Sequence, residues 1–151
     1  MKSVELPVVK LGCLVAIACA VVAPLVGLFL LFSIPAWLND RKLANLEDRF
    51  LAYPLPPDTD FADYSAEGSI ALRGNGNHCD YQVRIKLSTT LSEEEVVRYY
   101  DAAGIAGVEV ERAPLRVYFD RSSDKAADGN MKHFIVELYD STDAGLDLRC
   151  H

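Results

Sequence analysis

Between Lys10 and Asp40 the sequence contains no charged residue. A helix on the surface of a soluble domain needs a solvated polar face, so this absence excludes an ordinary amphipathic helix here. The uninterrupted part, Leu11–Ile34, is 24 residues long. As a helix it measures about 36 Å, against about 30 Å for the hydrocarbon core of a bilayer. A transmembrane helix is the expectation, with Trp37 placed where an interfacial aromatic belt falls. Pro24, lacking an amide proton, is expected to kink it locally.

Other absences narrow the function. There is no CxxC pair, no GxSxG elbow, and no dinucleotide fingerprint. Gly74-x-Gly76 precedes an expected strand instead of a helix, which is the wrong context for a phosphate cradle. No Ser or Cys is set beside a His by a recognisable catalytic motif. Basic residues are scattered and outnumbered. From Asp58 to His151 there are 18 acidic and 10 basic residues, a net of −8, whereas Met1–Pro57 carries 4 acidic and 5 basic, a net of +1. Such a domain is a poor ligand for nucleic acid or for an anionic lipid surface. No catalytic residue, cofactor site or metal site is expected. A non-catalytic chain follows from that reading.

Two apparent metal patterns fail on geometry. His78-Cys79 and Cys150-His151 place zinc-type ligands side by side, but neighbouring strand residues point to opposite faces. The loop with Asp120, Asp124 and Asp128 resembles a calcium loop. Starting at Asp124 puts Gly129 at position 6 but Ala126 and Ile135 where oxygen ligands are required.

The N-terminus also meets local rules for cleavage. Ala18-Cys19-Ala20 fits a signal-peptidase site, and Ala16–Cys19 a loose lipobox. Either cut leaves the apolar stretch AVVAPLVGLFLLFSI behind it, unlike processed proteins, which continue into polar sequence. The span is therefore expected to remain as an uncleaved signal-anchor. Gly12, Ala16, Ala20, Ala23 and Gly27 recur at spacings of 4, 4, 3 and 4. They share one helical face, on which a second helix can approach closely in lipid. Cys13 and Cys19 lie on different faces and are read as small apolar residues, with acylation sites as the lesser alternative.

Beyond the span, Leu43, Leu46, Phe50 and Tyr53 keep helical spacing, so Asn39–Tyr53 is expected to continue as helix. Pro54–Asp58 (PLPPD) should end it and serve as an extended spacer. The expected organisation is a tail at 1–10, a transmembrane helix at 11–34, a juxtamembrane helix and Pro-rich linker at 35–57, and an acidic domain at 58–151. A chain starting at Asp58 is expected to be soluble, since about 95 residues suffice for one modest core.

That domain shows strand alternation at Ser69–Arg73 and, most clearly, at Cys79–Leu87, joined by the turn RGNGNH with its Asn75-Gly76 step. Ser92 and Glu95 have capping-box spacing, and Glu93–Glu95 suits the positive end of a helix dipole. Val96, Val97, Tyr100 and Ala103 form its expected buried stripe, and Gly104 its stop. Strands are expected at Val108–Arg112, Leu115–Asp120 and His133–Tyr139, a polar loop at Arg121–Asn130, and a weak edge strand at Leu146–Cys150. The fold class is α+β: one transmembrane helix, then a small antiparallel sheet of order ββαβββ with one helix on a face.

Cys79 and Cys150 are the only cysteines outside the span, and they are expected to form a disulfide across the domain. Disulfides persist in oxidising compartments. This places the C-terminal domain outside the cytoplasm, where the charge rule alone is nearly tied: Lys2 and Lys10 precede the span, and Arg41, Lys42 and Arg49 follow it. The sequence thus suggests a single-pass cell-membrane protein with an extracytoplasmic binding or accessory module. Its partners would be the bilayer and a protein, or a second copy through the transmembrane helix. An anchored hydrolase or metal-dependent enzyme using acidic residues, and a cytoplasm-facing regulator, are the competing readings.

Overall fold

The computed structural model describes residues 8–63, 65–120 and 131–151. Residues 1–7 of the tail and the loop Arg121–Asn130, with Asp124 and Asp128, lie outside them, as do the surroundings of Gly12 and Cys13.

The chain opens with one helix, α1, running from Val8 to Leu51 through both Pro24 and Pro35. It contains a segment long and apolar enough to cross a membrane, none of it buried against the rest of the molecule. The same helix then enters the domain: Leu46 and Phe50 are 0% and 1% exposed, at the heart of the core. The helical spacing past the apolar run thus continues α1 itself, packed on the sheet.

Among the described residues five strands follow in one antiparallel sheet: β1 Thr59–Phe61, β2 Glu67–Ala71, β3 His78–Thr89, β4 Leu115–Phe119 and β5 Lys132–Asp143. The long strands β3 and β5 pair along their whole length, from His78 opposite Asp143 to Thr89 opposite Lys132. Both β1 and β2 line the outer edge of β3, and β4 pairs with β5. Alternation in β3 sends Tyr81, Val83, Ile85 and Leu87 to the side where Phe134, Val136 and Leu138 of β5 also lie. The helix α2, Glu93–Asp101, completes this side with Val96 and Tyr100, and its capping box forms between Ser92 and Glu95. The opposite side carries Arg84, Lys86, Arg116 and Tyr118, and no helix among the described residues covers it.

The fold class holds, but several local expectations do not. Val108–Arg112 is a series of bends, not a strand. The buried Asp140 carboxylate accepts hydrogen bonds from the backbone N–H groups of Val108, Glu109 and Val110, removing the donors that a strand ladder needs. Leu146–Cys150 is not an edge strand either. Its end is a 3₁₀ turn, Leu148–Cys150, capped by Asp147. β1 was not expected; it is held where the Thr59 hydroxyl meets that of Thr89, 2.9 Å away. The stretch Pro54–Asp58 ends α1 but is no spacer, because Tyr53 and Leu55 pack on the core and Tyr99 donates to the Pro54 carbonyl at 2.8 Å. In α2, Val97 is exposed instead of joining the stripe, and the helix ends at Asp101, before Gly104. The positive-φ residues of the RGNGNH turn are Gly74 and Gly76.

Candidate functional site

A cluster of hydrogen bonds and ion pairs forms the joint where α1 leaves its apolar run and meets the start of β3 and the 144–150 turn. Asn39 is its centre. It directly follows the apolar stretch, yet it is only 7% exposed. Its Oδ1 accepts from the Tyr81 hydroxyl at 2.7 Å. Its Nδ2 donates to Asp147 Oδ2 at 2.9 Å and lies 3.3 Å from Cys79 Sγ. Both capacities of the amide are thereby used, as burial of such a group demands.

Asp147 is 1% exposed and caps the 3₁₀ turn through the Arg149 N–H. The Arg149 guanidinium grips both of its oxygens, at 3.0 and 2.8 Å. Hydrogen bonding from Arg149 first, and from Asn39 and the turn backbone after it, holds this carboxylate at a pKa of about 2, against the opposing effect of burial. Arg149 also binds Asp40 at 2.6 Å and the Ala36 carbonyl at 3.0 Å, so one side chain ties the turn to two successive turns of α1. Its own pKa rises above the ordinary value, chiefly through Asp147. Burial raises that of Tyr81.

The structure brings Cys79 and Cys150 together at disulfide distance, with Cα atoms 4.7 Å apart. The sulfurs and the Asp147 carboxylate lie within 4.8 Å of one another, a spacing that also suits a metal ion. The donor set does not fit one. Bonded sulfurs are not thiolates, and both Asp147 oxygens are already engaged by Asn39 and Arg149. The neighbouring histidines turn elsewhere, His78 to Asp80 at 3.2 Å and His151 to the Gly145 carbonyl at 3.1 Å.

No family model matches the chain, and no curated protein or solved structure resembles it significantly.

The other buried carboxylates are spent on structure. Asp80 accepts from the Arg73 N–H and the Tyr139 hydroxyl. Glu137, 3% exposed, is gripped by Arg84 at 2.7 and 2.8 Å. Asp140 caps the 108–110 bends, as described. Each is buried with its own set of donors, not paired with another carboxylate for acid–base work. A small cavity of about 250 Å³ opens between Tyr100, Asp101, Arg112 and Leu115. Tyr100 is 3% exposed, its hydroxyl has no hydrogen-bond partner among the described residues, and burial raises its pKa.

On the apolar part of α1, Ala16, Ala20, Ala23 and Gly27 all remain exposed, and Ala23 and Gly27 border an open groove of about 620 Å³ with Val26 and Leu30. Sequence reasoning reached the two cysteines that the structure brings together. It did not reach Asn39, Asp147, Arg149 or Asp140. The one available signal was Asp147-x-Arg149 beside a cysteine, which also suits a solvated tail.

Proposed function

We propose that the chain is a single-pass, membrane-anchored, non-catalytic binding or accessory module whose sheet domain stands outside the cytoplasm. The observation that carries this reading is the fusion of anchor and domain. One helix contains the apolar segment and contributes Leu46 and Phe50 to the core. Trp37, half exposed with the Arg41 guanidinium 3.8 Å from its ring centroid, suits a membrane interface at that level. The cysteine pair supports an oxidising compartment. Employment of the buried carboxylates as caps and ion pairs speaks against the acidic-enzyme alternative.

The partner-binding surface in this reading is the uncovered side of the sheet. Arg116 and Tyr118 of β4 are exposed there beside the Arg84–Glu137 pair. Arg and Tyr are the residue types that anchor protein interfaces. Co-purification of the full-length protein from its native membrane in mild detergent tests it. A stoichiometric protein partner is expected, and it should be lost with R116E/Y118A. Equal capture by that variant would move the surface elsewhere, and absence of any partner would overturn the module reading. Thiol labelling and protease access from outside intact cells test the placement. A domain shielded from both, with free thiols, refutes it.

A further inference from the structure

We propose that the 144–150 turn is a second membrane contact, with Leu146 and Leu148 seated in the lipid beside α1. The proposal rests on the reading of α1 as a span.

Leu146 lies against the apolar part of the helix. With Gly27, Leu30, Leu31, Ile34 and Pro35 it borders an open groove of about 460 Å³. Those positions are the last turns of the uncharged run, below the level of Trp37 and of Asp40, the first charge. Yet Leu146 is 45% exposed and Leu148 67% exposed. Two large apolar side chains presented to solvent on one short turn are unfavourable in water. At this depth, the occupant adjoining the exposed groove is the one that surrounds the rest of the span, namely acyl chains near the headgroup boundary.

The turn is suited to that position. Backbone polar groups entering lipid are costly unless bonded within the protein, and part of this turn's backbone is so bonded. Here the Asp147 N–H reaches the Ala144 carbonyl, the Cys150 N–H reaches the Asp147 carbonyl, and the Arg149 carbonyl accepts from Leu72. The Arg149 N–H is taken by the Asp147 side chain. The charges of the turn are matched as well. Asp147 is buried and paired with Arg149, whose remaining contacts are to Asp40 and the Ala36 carbonyl at the expected interface level. The turn is also immobilised, by the Cys79–Cys150 pair on one side and by Arg149 on α1 on the other. The depth of Leu146 is therefore set by that of Ile34.

The test uses full-length protein in phosphatidylcholine nanodiscs. Trp37 is the single native tryptophan, so W37F/L146W and W37F/L148W each report one position. Lipids brominated near the headgroup end of the acyl chains should quench L146W emission to about the degree seen for native Trp37, while aqueous acrylamide should quench it little. L148W should behave in the same direction, and it decides the question if L146W does not fold. Acrylamide quenching without lipid quenching at both positions, with Trp37 quenched by lipid, leaves the anchor in place and overturns the second contact. Failure of lipid to quench even Trp37 overturns the anchor reading and this proposal with it. Shielding of both positions from lipid and acrylamide, in a nanodisc holding two chains, overturns it in favour of a second copy as the occupant.

Discussion

Truncation separates the apolar segment of α1 from the domain only if it is made at the right place. Deleting residues 1–57 should leave an unfolded or molten chain, whereas deleting residues 1–35 should leave a folded one. The first cut removes Leu46 and Phe50, both fully buried on the sheet, and Asn39 with its bonds to Tyr81 and Asp147. Buried Leu and Phe side chains are worth about 2–5 and 3–5 kcal/mol respectively when truncated to Ala. Together these approach the whole stability of a small domain, about 5–15 kcal/mol. The second cut removes no fully buried side chain of the described residues and loses only the groove contact of Leu146 with the end of the apolar run, and it keeps Ala36, Asp40 and the Arg149 contacts. Both chains can be compared by thermal circular dichroism and by dispersion of their amide NMR spectra. A cooperative melt of the 58–151 chain at the same midpoint as the 36–151 chain would refute the reasoning. It would mean that the α1 packing contributes nothing.

Other consequences can be measured on the same material. The Cys79–Cys150 pair has a sequence separation of 71, for which loop-closure entropy gives about 4 kcal/mol. C150S should therefore lower the melting temperature by several degrees or more and open residues 144–151 to protease. C79S/C150S should cost no more than either single change, and an additive double variant would show that no cross-link was lost. Asp147 has a folded pKa of about 2 against an ordinary 3.8, so its ionised form stabilises the fold above the ordinary value. That contribution, about 2 kcal/mol by linkage, is lost as the pH falls from about 4 to about 2. Acid unfolding curves of the native chain and D147N should converge at the acid end of that range; a constant gap throughout would contradict the linkage. In the apolar segment, A16I/A20I should weaken any helix dimer by about 1–2 kcal/mol, read with an in-membrane association reporter. No association of the native segment would reduce that face to composition.

The features legible in the sequence are those carried by period or by short motif. The uncharged run, the alternation of β3 and the Ser92–Glu95 box each arise from neighbours along the chain, so they survive without tertiary knowledge. The cysteine pair was legible because few partners existed. What escaped depends on contacts between distant residues. Val108–Arg112 alternates like a strand, but the Asp140 carboxylate, some thirty residues away, captures its amides. Asn39 resembles a polar flank until Tyr81 and Asp147 close around it. β1 has three residues, too few to show a period. The joint was invisible for the same reason: its hydrogen bonds connect residues separated by as many as 113 positions.

A helix without a break acts as a shaft. Since α1 runs from its apolar part into the sheet domain as one continuous helix, the bearing of the domain is set by helical phase. One residue inserted between Gly27 and Leu31 would raise the domain by about 1.5 Å and swing it by about 100° around the axis. The compass direction of the uncovered sheet side, relative to the small-residue stripe at Ala16–Gly27, is thus written in residue count. If two copies meet along that stripe, their sheets face each other at an angle that neither domain chooses.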